Sequence, residues 1–251
     1  MVILLSPSKT ISEETTKVSS NLSRPTFLDE AERLMKKLKK LPATELEKLM
    51  SINPTLAEKT AEWFNEWLPL PQHDKARIAA HCFKGAVYTG LNARAWSDSD
   101  FVFAQRHLRI VSGLYGLLKP LDRIQPYRLE MGLKWQMEPR YSNLYEYWGT
   151  RISDKVEDEA NGFIVNLASK EYSKASISKD FKGTIITPEF KEKVGDVYKA
   201  KMAYAKEARG CMANFIIKNR MTNPEEIKNF QGMGYTYHPD LSDNEQWVFT
   251  R

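Results

Sequence analysis

The chain has 251 residues, 42% hydrophobic and 27% charged, an ordinary globular composition that excludes wholesale disorder. Lys+Arg exceed Asp+Glu by only 5, a balance that permits an anionic partner without demanding one. The two cysteines, Cys82 and Cys211, exclude a disulfide framework, a CxxC motif and a cluster held by four cysteines of one chain.

At roughly 150 residues per domain the length allows one or two domains. With no repeat or low-complexity tract to divide it, the expectation is one compact domain over 1–251. No apolar run reaches the ~18 residues of a membrane span. Val2 to Leu5 is too short for a signal-peptide core, so it reads as a strand and the protein as cytoplasmic, with no membrane partner. Thr10 to Pro25 reads as an extended polar loop.

A helix follows from about Phe27 to Lys40, with Thr26 as its cap and Leu28, Ala31, Leu34, Met35 and Leu38 on one face. Lys36, Lys37, Lys39 and Lys40 crowd its last turn, where cations suit the helix dipole. Thr44 is placed to cap a short helix, Glu45 to Met50. Asn53 then caps a second one that begins at Pro54 and runs to about Trp67. This pair, at about 44–67, resembles a helix-hairpin-helix, in which a hairpin and a helix start offer N–H groups to a phosphate. Here Asn53 and Pro54 stand where glycines are usual, and Pro54 has no N–H. Lys48 and Lys59 supply charge beside Asn53 and Thr55. An αα-hairpin that only packs is the plainer reading.

Pro69 to Asp74 reads as a polar connection. Further on, the pattern predicts a helix from Asp74 to Phe83, a short strand at Ala86-Val87-Tyr88-Thr89, a helix opened by Ser97 and ending near His107, and a buried strand from Arg109 to Ser112. Asn143 opens one long helix to Ala160, stopped at Asn161-Gly162. Phe163 to Leu167 and Thr184 to Thr187 read as strands, Met202 to Arg220 as a helix, and Pro224 to Phe230 as a short one. Tyr235 to Tyr237 and Trp247 to Phe249 suggest a closing hairpin. Strands and helices interleave without regular βαβ spacing, which predicts a mixed α/β sheet wrapped by helices.

Four places could carry chemistry. Ser6-Pro7-Ser8-Lys9-Thr10 leaves a buried strand and offers hydroxyls, an ammonium and backbone N–H groups to a phosphate, although it is not a P-loop. The helix pair is the second. The third is Arg106 to Glu130, where Ser112, Tyr115, Lys119 and Arg128 lie on glycine-punctuated loops, a composition suited to a nucleic-acid groove or a phosphorylated ligand. The fourth joins Asn166 at a strand end with Lys206 and Arg209 on a helix. From 166 to 220 there are 12 Lys+Arg against 6 Asp+Glu, so the basic excess concentrates there. A plain turn and a solvated helix face are the competing readings of the first and fourth. Lys9, Glu130 and Tyr172 are the candidate catalytic groups. His73, His81, His107 and His238 show no HxxxH or HExxH spacing, so no metal site and no cofactor are expected.

Several blocks also resemble the bacterial peroxide stress protein YaaA family. They are Ser6 to Thr10, Phe83 to Leu91, Ser112 to Asp122, Gln125 to Gly132, Asn166 to Tyr172 and Ala205 to Gly210, in order along the chain. The resemblance implies a cytosolic protein of hydrogen peroxide defence that limits free iron and spares DNA. It further implies DNA binding through a helix-hairpin-helix element and a positively charged cleft. Its partner would be duplex or structured DNA, bound without regard to sequence; a monomer is the working expectation. An enzyme acting on a nucleotide or nucleic acid, with Glu130 as base and Lys9 and Arg128 stabilising charge, stays open beside this. So does weak iron binding by scattered carboxylates.

Overall fold

The computed structural model describes residues 1–14, 22–69 and 77–251. It begins with β1 (Val2–Leu5), every residue of which is buried. Three helices follow: α1 (Leu28–Leu38), α2 (Ala43–Met50) and α3 (Pro54–Glu66). A small antiparallel pair joins β2 (Arg77–Ile78) to β5 (Arg123–Ile124). Between them lie α4 (Ala79–Cys82), α5 (Ala86–Leu91), α6 (Asp98–His107), β3 (Leu108–Ser112) and β4 (Gly116–Leu118). The chain continues through α7 (Leu144–Trp148), α8 (Arg151–Ala160), β6 (Phe163–Asn166), α9 (Lys170–Ser176), β7 (Thr184–Val194), β8 (Val197–Lys199), α10 (Met202–Lys218), β9 (Thr236–Tyr237) and β10 (Gln246–Thr250).

Among the described residues the main sheet has eight strands in the order β4-β3-β1-β6-β7-β10-β9, with β8 paired to β7. The five central strands are parallel and the outer pairings antiparallel. The mixed α/β class expected from the sequence is therefore what the chain forms. Complete burial of β1 means that both faces of the sheet are covered at its centre, as is usual for parallel strands, whereas β7 alternates between buried and partly open positions. The buried residues join into one hydrophobic cluster that runs from Met1 to Phe249.

Chain order reverses at β1. From the carboxyl end of β1 the chain leads to β3 on one side, whereas from the carboxyl end of β6 it leads to β7 on the other. The two connections diverge and leave a crevice between β1 and β6, the place where open α/β sheets bind ligands.

Local chemistry explains most boundaries. Ser97 and Asp100 form a capping box at the start of α6, and Asn53 caps α3 by accepting the Leu56 N–H at 2.8 Å, with Pro54 at the first helical position. At α1 and α2 the caps differ from expectation. The N-cap positions are Phe27 and Pro42, and neither side chain caps.

Four other expectations are corrected. Ala86 to Thr89 is helical, within α5, although its composition suits a strand. The decision is tertiary: α5 lies against α10 with the backbone of Gly90 on Glu207 and Cys211, and that of Gly210 on Val87 and Leu91. The helix expected from Asn143 to Ala160 is two helices, broken at Gly149, whose φ is +53°. The segment expected as a helix to Phe83 begins, within the described residues, as β2 before the single turn of α4; its residues 74–76 lie outside them, as do 70–76 of the polar connection with His73, and 15–21 of the first loop. Finally, β7 runs well past Thr187, to Val194. The closing hairpin is present as β9 and β10, whose second neighbour is β7.

Candidate functional site

The crevice between β1 and β6 is filled by the chain's own hydroxyls. Ser6, the residue after β1, accepts the backbone N–H of Ser169 at 2.8 Å and donates to Ser169 Oγ at 3.3 Å. Tyr88 of α5 donates to the Ser6 carbonyl at 2.9 Å. Asn166, the last residue of β6, accepts from the Ala168 N–H at 3.2 Å and donates to Thr187 Oγ1 at 3.3 Å. Two strand ends and the start of α9 are thus tied together by short polar side chains.

Charge lies just beyond. Lys9 Nζ meets Glu130 Oε2 at 2.5 Å, and Arg128 reaches Glu130 Oε1 at 3.2 Å and the Lys9 carbonyl at 3.3 Å. The Arg128 side chain is only 13% exposed, and its Nε is buried with no hydrogen-bond acceptor. Pro7, Ser8, Tyr127, Leu129 and Tyr172 complete a cleft of about 10 Å³ around these groups, room for about one water molecule. Glu171 accepts the Gly132 N–H at 2.8 Å and so fastens the 128–132 loop to α9.

Tyr172 is buried, and that burial, reinforced by Glu171, pushes its phenol far above the usual value. At neutral pH it is a neutral phenol. Arg209 on α10 is half-buried and has no carboxylate within ion-pair distance among the described residues. Burial pulls its pKa down and Glu189 partly offsets this; an arginine remains charged nonetheless.

The structure brings Ser6, Lys9, Arg128, Glu130, Asn166 and Tyr172 to one edge of the sheet. Other candidates lie elsewhere. Ser112 and Tyr115 are buried, with hydroxyls spent inside: Ser112 on Tyr127 at 2.7 Å and the Tyr115 N–H at 2.9 Å, Tyr115 on Trp67 Nε1 at 2.8 Å. They support the cleft wall and cannot meet a ligand. Lys119 sits at the opposite end of the sheet, because β4 turns back antiparallel to β3; its ammonium is 3.9 Å from Glu159, which also holds Arg109 at 2.6 Å.

Lys48, Asn53 and Thr55 are exposed on the α2–α3 pair. Lys59 is held by Glu13 at 3.4 Å and Glu62 at 3.5 Å, and Glu13, first of the two, raises its pKa. Ser51 adopts the left-handed conformation, φ 51°, that a hairpin glycine would take. Pro54 has no N–H, that of Ile52 is spent on the Glu47 carbonyl and that of Leu56 on Asn53, so the turn offers a phosphate at most the N–H groups of Asn53 and Thr55. Lys206 is exposed on α10.

Tyr88 and Thr187 are the members of the crevice that the residue patterns did not mark as site residues, and within the marked segment from Asn166 to Tyr172 the residue that closes the crevice is Ser169. Its signal is positional: a serine three residues beyond a strand-ending asparagine, at the N-cap of α9.

A mixed sheet with a polar crevice at its reversal point, and Lys9, Arg128 and Glu130 paired at the lip, defines an α/β protein with a charged sheet edge. The model of the family described as peroxide stress protein YaaA matches residues 1–241, and the chain belongs to that family. Among the described residues no helix is long and apolar enough to cross a membrane.

Proposed function

We propose that this family member acts in the peroxide stress response by binding DNA through phosphate contacts at the crevice edge and along the α2–α3 pair. The observation that carries this reading is the meeting of Lys9 and Arg128 across 119 positions of sequence, where Arg128 Nε keeps an unused donor. The segment after Lys9 leads from there to the helix pair: Ile11 bridges Phe83, and Glu13 reaches Lys59 and Trp63 of α3. Cations at both ends of one continuous path suit a polyanion better than a lone anion. The limitation of free iron, which lowers hydroxyl radical formation and spares DNA, comes with the family resemblance alone; iron titration tests whether it is direct.

The experiment is duplex and junction binding at ~50 mM salt, repeated as salt is raised. Replacing Lys9 and Arg128 by glutamine should weaken binding and flatten the log–log salt dependence by about 1.8, at about 0.9 per phosphate contact. Absence of any duplex or junction affinity at low salt sinks the proposal.

One observation favours a second reading, an enzyme acting on a nucleotide or nucleic acid. The crevice lies where α/β sheets hold small ligands, with a carboxylate, Glu130, between two cations. Glu130 would take a proton and Lys9 and Arg128 would stabilise developing charge. A thermal shift with nucleotides that Ser6→Val abolishes, without any loss of duplex binding, would favour this reading over the first.

A further inference from the structure

Beyond the crevice stands an element that the site does not use. The last pairing of β6 with β7 is at Ile186, and the last pairing of β10 with β7 is at Lys191. From Glu192 onward β8 accompanies β7, in the register Glu192↔Lys199, Lys193↔Tyr198 and Val194↔Val197, and the chain after β10 stays with it as far as Lys193, whose N–H donates to the Arg251 carbonyl at 2.9 Å. Val194 is eight residues past Ile186, so at ~3.3 Å per residue the end of β7 stands roughly 25 Å beyond the β6 pairing, with the tip from Val194 to Val197 clear of the last backbone bond to Arg251 at Lys193. This β7–β8 arm rises from the carboxyl edge of the sheet, the edge that carries Ser6 and Asn166.

The arm is built rather than frayed. Gly195, with φ +61°, takes the first central position of a two-residue turn, where a type II′ hairpin wants glycine. Its base is pinned: Glu192 accepts Tyr235 OH at 2.6 Å and Arg251 Nε at 2.8 Å, and the Arg251 guanidinium lies 4.7 Å from both the Tyr204 and Tyr235 rings. The tip is bare: Val194 and Val197 are 42% and 50% exposed, and at the start of α10, beside the arm's base, Met202 and Tyr204 are 66% and 43% exposed; the four make up half of the exposed large hydrophobic residues described. Lys193, Lys199 and Lys201 are interleaved with them, all exposed and none within ion-pair distance of a carboxylate among the described residues. Lys191 is different, being paired with Glu189 at 3.1 Å. A solvated hairpin has no use for two valines facing each other at its tip; a hairpin that lies against a partner does.

We propose that the β7–β8 arm enters the major groove of duplex DNA. Lys193, Lys199 and Lys201 would neutralise phosphates along the groove walls, and Val194 and Val197 would touch base edges at the floor. A two-stranded ribbon fits the roughly 12 Å width of that groove, and the three ammonium groups outnumber Glu192 and the exposed Asp196 of the turn, which leaves the arm the positive charge that phosphate contacts need. The inference rests on the DNA-binding reading and deepens it.

The test is duplex binding by the full chain and by Lys193→Gln/Lys199→Gln/Lys201→Gln, at several salt concentrations. The variant should flatten the log–log salt dependence by about 2.7, three contacts at about 0.9 each, and the three corresponding arginine replacements should restore it. Val194→Ser/Val197→Ser should weaken binding severalfold with the slope unchanged. Wild-type protein should protect guanine N7 from dimethyl sulfate and the triple glutamine variant should not. All substitutions lie on the exposed arm or, for Lys201, at the N-cap of α10 beside it, and a thermal melt checks that each variant is folded. An unchanged slope and unchanged N7 protection, in a wild type that binds DNA, overturns the arm and leaves the crevice reading standing. A wild type that binds no DNA overturns both. Loss of binding to anionic lipid vesicles with duplex binding intact also overturns the arm's assignment to DNA.

Discussion

Replacing Gly210 by alanine should destabilise the protein, although alanine is the better helix former. Gly210 lies inside α10, and a Cβ added there would fall 1.8 Å from the Val87 carbonyl oxygen and 2.7 Å from the Leu91 nitrogen. Both are backbone atoms of α5 and cannot rotate aside. On the facing helix, a Cβ on Gly90 would fall 2.2 Å from the Glu207 carbonyl oxygen. The two helices therefore meet backbone to backbone, and a methyl group forces them apart. Glycine to alanine within a helix is worth about 1 kcal/mol in favour of the variant. Overpacking opposes it by typically 1–3 kcal/mol and occasionally more, and a backbone clash belongs at the top of that range. A net loss of about 2 kcal/mol lowers the melting temperature of a chain of this length by roughly 4–8 °C. Differential scanning calorimetry and urea titration measure it. Gly90→Ala should cost a similar amount, and the double variant less than the sum, because one separation relieves both clashes. A melting temperature for Gly210→Ala equal to or above that of the wild type would refute the reasoning.

Two further outcomes follow from buried titratable groups. Asp100 is buried beneath Lys218 at 2.7 Å and Arg220 at 3.5 Å. Burial raises its pKa, but the hydrogen bonds from Lys218 and Ser97 outweigh that and hold it at about 2. Because the folded value is depressed, its stabilisation is present above the ordinary carboxylate value and is lost as pH falls through about 2. Asp100→Asn should cost about 1–2 kcal/mol at pH 7, through the cap and the charged hydrogen bond. In urea titrations that difference should shrink as the pH is brought down toward the folded value; a gap that does not close refutes the assignment. Burial also pushes the Cys82 thiol up to about 12 and raises that of Cys211. Neither is a thiolate at neutral pH, so mass spectrometry after peroxide treatment of the folded protein should find both reduced. Sulfenate trapped at either residue would contradict this.

The sheet's central strands were legible because burial leaves an unmistakable trace: Val2 to Leu5, Arg109 to Ser112 and Phe163 to Leu167 are short apolar runs next to turn residues. Ser97 and Asn53 were legible as caps for the same local reason. What escaped was set by partners distant in sequence. Ala86 to Thr89 carries strand chemistry but becomes a helix because Gly90 and Gly210 let α10 approach, a contact with no local signature. The direction of Lys119 depended on β4 turning back, and the burial of Ser112 and Tyr115 on Tyr127 and Trp67. The meeting of Lys9 with Arg128 and Glu130 was within reach, since all three lie on loops that leave strands. The pairing of Ser6 with Ser169 needed the strand order, which no pattern of residues discloses. The β7–β8 arm had a weak trace in the alternation Phe190, Glu192, Val194 before Gly195-Asp196.

The ion pairs at the lip of the crevice give the protein an anion of its own. Glu130 already occupies Lys9 and Arg128, so on the proposed DNA-binding reading an incoming phosphate would enter by exchange with a tethered competitor rather than by simple addition. The apparent affinity is then the intrinsic one scaled by the fraction of molecules in which Glu130 has swung away, and each 1.4 kcal/mol by which the internal pair is favoured lowers it about tenfold. A chloride ion or a single carboxylate has nothing with which to meet that penalty. A strand of linked phosphates, engaging other cations at the same time, meets it through effective concentration. On that reading the carboxylate would work as a threshold that sorts polyanions from the small anions of the surrounding solution.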